Sequence, residues 1–281
     1  MAYTRPMTAP PASPLATPEP WDLVAEGYVA ENLASFEAFA REALRLAPAD
    51  GGEILDVAAG PGSLALLAAQ TARRVYAVDF AETMLAQLRA RAIAAGITNV
   101  EAQVADGQAL PFPSGRFDAA YSMFGLIFFP DRVRGLRELA RVLRPGGRAV
   151  VSSWPPFDRV PTFGAMFAAM KAELPASRTS DVPPVLSTAG EMTAEMTQAG
   201  FVSVEVHEHA VVSGVVTPAE LWSSFTRGGA PVALMRKKMG EPGFTAFSQR
   251  VAARLEESLG RSPIEVRLIA LLGVGTQPAL G

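Results

Sequence analysis

Three carboxylates stand where a parallel sheet would present them to a ligand. Asp56 closes the apolar run that begins at Glu53 and leads into the turn Gly60-Pro-Gly62. Asp79 closes the run Arg74-Val-Tyr-Ala-Val, and Asp106 follows Val100 to Ala105 with Gly107 beside it. Short aliphatic runs bounded by turn residues read as strands, so all three acids fall at strand ends. The residues after Gly62, Ser63-Leu-Ala-Leu-Leu, read as the start of a helix. Strand, glycine turn and helix form a nucleotide-type site. The glycines let the backbone approach a ligand, and the unpaired N–H groups of the helix start would face it. The plainer reading is a helix cap whose glycines only pack. Gly60-Pro-Gly62-Ser-Leu-Ala65 also fits the spacing of a dinucleotide fingerprint.

The neighbouring acids narrow the choice. Asp79 lies 17 residues past Gly62 and can accept two hydrogen bonds from a ribose diol; otherwise it is a solvated acid capping the next helix. Asp106 suits an exocyclic amine such as adenine N6, or forms an Asx turn. Met84, one turn into the helix after Asp79, packs on a ring or in the core. Asp56 discriminates between ligands. A pyrophosphate at the turn would be repelled by it, and a cation attracted. S-adenosylmethionine carries an ammonium and a sulfonium and has no phosphate.

Residues 54–154 resemble a class I S-adenosylmethionine-dependent methyltransferase of the ubiquinone/menaquinone-methyltransferase-like (methyltransferase type 11) group. The matching segments are Ile54-Leu-Asp56-Val-Ala-Ala-Gly60-Pro-Gly62, Val78-Asp79-Phe80-Ala-Glu-Thr-Met84-Leu85, Ala105-Asp106-Gly107-Gln-Ala-Leu-Pro-Phe112, Phe117-Asp118 and Leu139-Ala-Arg-Val-Leu-Arg-Pro-Gly-Gly147. The resemblance covers about the middle third of the chain. It implies S-adenosylmethionine as cofactor, with Asp56, Ala58, Gly60 and Gly62 around the methionine part. Asp79 with Phe80 would take the ribose side, Asp106 with Gly107 the adenine, and Met84 would lie on the ring. Phe124 would stand near the methionine end or the methyl group. Ala58 replaces the family's usual first glycine, which implies an ordinary backbone conformation there. Ala81 replaces a common serine cap.

The elements that must position these residues alternate. Strands are predicted at 54–58, 74–79, 100–105, 117–123 and 148–154, with helices at 64–70, 82–95 and 132–143 between them. Such alternation predicts an α/β fold with a doubly wound, mostly parallel sheet. Two later strands, 202–212 and 264–274, complete a seven-stranded sheet whose last strand is antiparallel, in keeping with the resemblance. A helix over 21–47 forms an N-terminal cap. A helix at 162–174 and a segment 217–259 broken at Gly228-Gly229 and at Glu241-Pro-Gly243 supply an inserted helical lid, and a further helix is predicted at 188–199. The expected organisation is a disordered Pro-rich tail over 1–20 and a single domain over 21–281. Within it, 21–50 is the cap, 51–154 the cofactor-binding core, and 155–187 with 213–260 the substrate-side lid.

Composition bounds the rest. The chain has 281 residues, is 49% hydrophobic, carries a formal net charge of -3 and contains no cysteine. It is long enough for a substantial core. The absence of cysteine removes disulfides and thiolate chemistry. The acidic balance gives no support to nucleic-acid binding, and no apolar run reaches the length of a membrane span. A cytoplasmic enzyme acting on a small molecule is expected, with no metal; the sequence leaves its oligomeric state open. Methyl transfer is an in-line displacement that chiefly needs alignment and exclusion of water. Tyr28, His207 and His209 are the candidates for a base, and Tyr121 is a further proton partner. The two histidines, at i and i+2 of a strand, share a face, which suits a base or a metal pair; a polar face on an exposed strand is the favoured reading. Trp21, Tyr28, Phe128, Trp154, Trp222 and Phe225 are the candidates for an apolar acceptor pocket, against ordinary core and lid packing. The alternatives are a nicotinamide-dependent oxidoreductase and a non-catalytic cofactor-binding protein.

Overall fold

The computed structural model describes residues 13–175 and 185–279. Strands β1 (Glu53–Val57), β2 (Arg74–Asp79) and β4 (Phe117–Ser122) are aliphatic runs buried on both faces, as the centre of a parallel sheet requires. With β3 (Val100–Val104), β5 (Leu143–Ser153), β6 (Val202–Val216) and β7 (Ile264–Thr276) they form one seven-stranded sheet of order β3-β2-β1-β4-β5-β7-β6. The first five strands are parallel. Strand β7 runs antiparallel between β5 and β6. The chain winds outward from β1 in one direction and from β4 in the other. The crevice at their carboxyl ends is therefore the switch point at which such sheets bind ligands.

Helices α2 (Ala25–Leu46), α3 (Ala65–Ala68) and α4 (Glu82–Ala94) cover one face, packing Phe39, Ile54, Val75, Leu85 and Leu88 together. On the other face, α5 (Arg132–Val142) and α7 (Ala189–Gln198) enclose Leu55, Val57, Leu136, Leu139, Met192 and Met196. A third cluster belongs to the lid: α6 (Pro161–Ala172), α8 (Pro218–Gly228) and α9 (Ala230–Leu259) meet around Met166, Trp222, Phe244 and Phe247. No helix among the described residues is long and apolar enough to cross a membrane.

Several boundaries differ from the sequence expectation. Residues 1–12 of the expected tail and 176–184 of the expected loop lie outside the described residues. Residues 13–20 are ordered: Pro14–Ala16 make a 3-10 turn, and α1 (Glu19–Asp22) begins before Trp21. The single helix expected over 21–47 breaks at Leu23-Val24, where the chain bends to bury Val24 and Ala25 against Met84, Ala81 and Ala230. The helix after the glycine turn has only four residues, because Gln70 and Thr71 close it with tight bonds to Leu67 and Ala68. Leu143 pairs with Phe117 while Arg148 pairs with Ala119, so Pro145-Gly-Gly147 bulge out of a strand that starts earlier than expected. Strand β6 extends to Val216, so the lid starts at 217. Its second break falls at Gly240 (φ 70°). Pro242 then sits in the first turn of the resumed helix, where no N–H is needed.

Candidate functional site

Adjacent strands β1 and β4 both run into a non-glycine residue in the left-handed region: Ala58 and Phe124 each have φ 57°. Ala58 thus departs from the ordinary conformation expected of it. The turn leaves it no alternative, since Ala59 must donate to the Val78 carbonyl (3.0 Å) and Gly60 to Asp79 (2.8 Å). An L-residue pays about 1–2 kcal/mol for such a conformation. The two strand ends also touch. A Cβ placed on Gly125 would stand 2.3 Å from that of Ala58. Replacing Ala58 by Gly is expected to stabilise the protein by about 1 kcal/mol, and Gly125→Ala to destabilise it by about 2 kcal/mol. The double variant should recover part of the Gly125→Ala loss. Urea unfolding of the three variants tests this, and strictly additive effects would contradict the contact.

The acids are buried and tied to the backbone. Asp79 accepts from Gly60 N–H at 2.8 Å and from Ala81 N–H at 2.9 Å, and Asp56 accepts from Ala65 N–H at 3.1 Å. Burial raises the Asp56 carboxyl to about 8, with the Asp79 charge adding and the Ala65 bond opposing. Burial likewise raises Asp79 to about 6, against the N–H groups of Ala81, Gly60 and Phe80. No cation of the described protein acts on either acid.

These bonds take up part of the expected cradle of unpaired amides, while the N–H groups of Ser63 and Leu64 at the helix start make no bond among the described residues. Ala59, Gly60 and Ala65 are engaged as above, and Gly62 N–H bonds the Ala59 carbonyl at 3.0 Å. A four-residue α3 adds little dipole. What the turn presents is two buried acids that a nearby cation would ionise, which suits a cation and disfavours a phosphate. A Cβ on Gly60 would meet nothing within 4 Å, so that side of the turn is open, whereas one on Gly62 would meet Leu88 at 2.8 Å.

Around the acids, Met84 is buried in a cluster with Val24, Ala25 and Ala230, on which Trp21, Tyr28 and Phe80 pack. The cap is fastened there: Thr83 donates to Asp22 at 2.5 Å, and the Trp21 ring lies 4.9 Å from that of Phe128. Ala105 N–H bonds the Asp79 carbonyl at 3.0 Å, which sets the end of β3 beside that of β2. Asp106 is exposed, and its Oδ1 accepts from Gln108 N–H (2.8 Å) and Gln108 Nε2 (3.2 Å). The Asx turn is therefore present, and a ligand contact would fall to Oδ2. Gly107 must be glycine because a Cβ would meet the Phe129 ring at 2.5 Å.

Past β4, Phe124 N–H bonds Ser152 Oγ at 2.9 Å and the Phe124 ring stacks on Trp154 at 4.2 Å. Phe36 and Phe39 of α2 meet Phe124 edge-on at 5.0 and 5.4 Å, Tyr28 lies 5.4 Å from Phe36, and Phe163 lies 5.7 Å from Trp154. Phe36 and Phe39 are not among the residues expected at the site; their three-residue spacing on the helix carrying Tyr28 is the available signal. Burial, then the Asp79 charge, pushes the Tyr28 hydroxyl well above its usual range, so it stays protonated at neutral pH. Tyr121 donates to the Ala47 carbonyl and is structural. His207 and His209 lie on edge strand β6, with β7, β5 and β4 between them and β1. His207 pairs with Glu205 at 3.3 Å and His209 packs 6.0 Å from Phe39. The structure does not bring them to the glycine turn. Trp222 faces the lid interior, bonding Ser248 Oγ at 2.8 Å and packing near Phe247. Phe225 packs 6.1 Å from Phe167.

Strand order, glycine turn and strand-end acids together define a Rossmann-like methyltransferase fold. Residues 54–147 match a family model described as a methyltransferase domain. A demethylmenaquinone methyltransferase of Thermus thermophilus is 49% identical over 105 residues, 37% of this chain and 47% of that protein. An uncharacterized protein of Mycobacterium tuberculosis is 40% identical over 134 residues, 48% of this chain and 47% of that one. The solved structure of the YcgJ protein from Bacillus subtilis shares the fold at TM-score 0.58 and 20% identity, over 88% of this chain and 99% of that one. The chain spans about half the length of the curated relatives it matches. Residues 54–147 of the chain carry a methyltransferase domain.

Proposed function

We propose that this chain transfers the methyl group of S-adenosylmethionine to a small apolar or aromatic molecule at an O, C or N atom. The observation that carries the reading is the pair of buried acids, Asp56 and Asp79, around the glycine turn, beside the stacked Phe124 and Trp154. Two buried carboxylates with no cation of their own fit a ligand bearing ammonium and sulfonium charge. Asp79 and Phe80 would hold the ribose side, Asp106, Gly107 and Met84 the adenine. Asp56, Ala58, Gly60 and Gly62 would surround the methionine part, next to Phe124. The cofactor supplies an electrophilic methyl group on sulfur. The protein's part is to align the acceptor along the aromatic run from Tyr28 to Phe163 and to exclude water. Residues 21–281 would act as one domain, with the cap and the lid closing a core over 51–154. The two buried acids beside the turn weigh against an oxidoreductase binding a nicotinamide dinucleotide, because they would repel its pyrophosphate. The aromatic run beside the site weighs against a protein that only binds the cofactor. The formal charge of -3 favours a small-molecule partner over nucleic acid, and a cytoplasmic setting suits the absence of cysteine.

The test is incubation with methyl-labelled S-adenosylmethionine and a small-molecule extract of the source cells, read by mass spectrometry. A labelled metabolite supports methyl transfer, and its fragmentation locates the acceptor atom; no binding of the cofactor rejects the reading. Trp154→Ala should raise the acceptor KM by about tenfold, the loss of one aromatic stack and its buried area, while cofactor affinity stays within about twofold. A loss confined to cofactor binding would remove Trp154 from the acceptor side.

A further inference from the structure

The deepest fixed point of the glycine turn is a carbonyl. Pro61 has no N–H, and both Pro61 and Gly62 are buried, so the Pro61 carbonyl needs a partner from elsewhere. Arg91 of α4 supplies it. Its Nη1 donates to that carbonyl at 2.6 Å, and its Nη2 donates to Glu37 Oε1 of α2 at 2.7 Å. The two side chains are only 22% and 25% exposed, so water screens the pair incompletely. Three residues earlier on the same face of α4, Leu88 fills the space that the missing side chain of Gly62 leaves.

We propose that Arg91 is a positioning residue that fixes the Gly60-Pro-Gly62 turn and couples it, through Glu37, to the cap helix carrying Tyr28, Phe36 and Phe39. The proposal rests on reading the turn as the cofactor site. Helix α4 then serves the site from both ends. Its start follows Asp79, whose carboxylate is bonded by Ala81 N–H, and its last turn holds the far side of the glycine turn. The planar guanidinium fork reaches a carbonyl on one element and a carboxylate on another with two separate, rigidly spaced nitrogens, Nη1 and Nη2. A lysine ammonium keeps the charge but not the fork.

The experiment compares wild type with Arg91→Lys, Glu37→Gln and their combination. Hydrogen exchange of the amides of residues 58–66 is measured in ligand-free protein, and S-adenosylmethionine affinity by calorimetry. Arg91→Lys should speed exchange in the turn and weaken the cofactor by about tenfold, the loss of one charge-assisted bond. Glu37→Gln should act in the same direction by a smaller factor, and the combination should be little worse than Arg91→Lys alone. Turn exchange and affinity within about twofold of wild type in Arg91→Lys would overturn the proposal. If Arg91→Lys does not fold, Glu37→Gln decides by the same two readouts. Wild-type protein that fails to bind the cofactor would reject the functional reading, while the exchange measurement would still decide whether Arg91 holds the turn.

Discussion

Asp79→Asn is expected to weaken S-adenosylmethionine binding by about 100-fold, because two charge-assisted bonds to a ribose diol contribute roughly 3 kcal/mol or more together. The same substitution should cost stability. Asp79 accepts from Gly60 and Ala81 N–H groups in a buried setting, and an asparagine sets its NH2 group against one of them. The unpaired donor costs about 1–3 kcal/mol. Alanine would leave both donors unpaired and so mixes a folding defect into the binding result, which makes Asn the cleaner probe. Calorimetry gives the affinity and urea unfolding the stability. An affinity within about threefold of wild type would remove Asp79 from the site. Asp106→Asn should have a smaller effect on stability, since Asp106 is exposed and its side chain forms only a local turn.

The acids of the site were legible because strand ends are. Val75 to Val78 is an uninterrupted apolar run that only a strand buried on both faces accommodates, and Asp79 is where it stops. The reversed last strand came from the resemblance, and the sheet carries it. The chemical state of the site was not legible. Whether the Gly60 amide meets a ligand or a carboxylate depends on where β2 ends relative to β1, which no local pattern states. Ala58 misled for a related reason: alanine avoids the left-handed region unless tertiary bonds hold it there, and the bonds that do so come from Val78 and Asp79. The break at Leu23-Val24 was hidden because both sides keep a helical period. Phe36 and Phe39 read as core, and helical spacing cannot say that the core they enter adjoins Phe124. His207 and His209 share a strand face as expected, but only the order of the strands shows how far that face is from the turn.

The buried acids also set a pH dependence whose sign follows from their environment. In the ligand-free protein Asp56 is raised to about 8 and Asp79 to about 6 from an ordinary value of 3.8. A carboxyl raised on folding binds its proton more tightly in the folded state. Its contribution to stability is complete below about pH 4 and is lost as pH rises through 6 and then 8. Stability of the ligand-free protein should therefore decline across that window. Glu31, Glu42 and Glu138, each held low first by a bond from an arginine, act the opposite way, but only as pH falls below their ordinary range. A cationic ligand reverses the sign at the buried pair, because it favours both carboxylates and drives their protons off. Cofactor affinity should rise with pH between 6 and 8, by up to about tenfold per pH unit while one proton is released on binding. Calorimetry near pH 7 in buffers of different ionisation heat should register that proton, chiefly from Asp56. Asp56→Asn should abolish the release and flatten the upper part of the profile, leaving the lower part to Asp79. A wild-type affinity that is flat from pH 5 to 8, with no proton released, would mean that the ligand's positive charge does not lie beside these acids, and the cationic reading of the turn would fall with it.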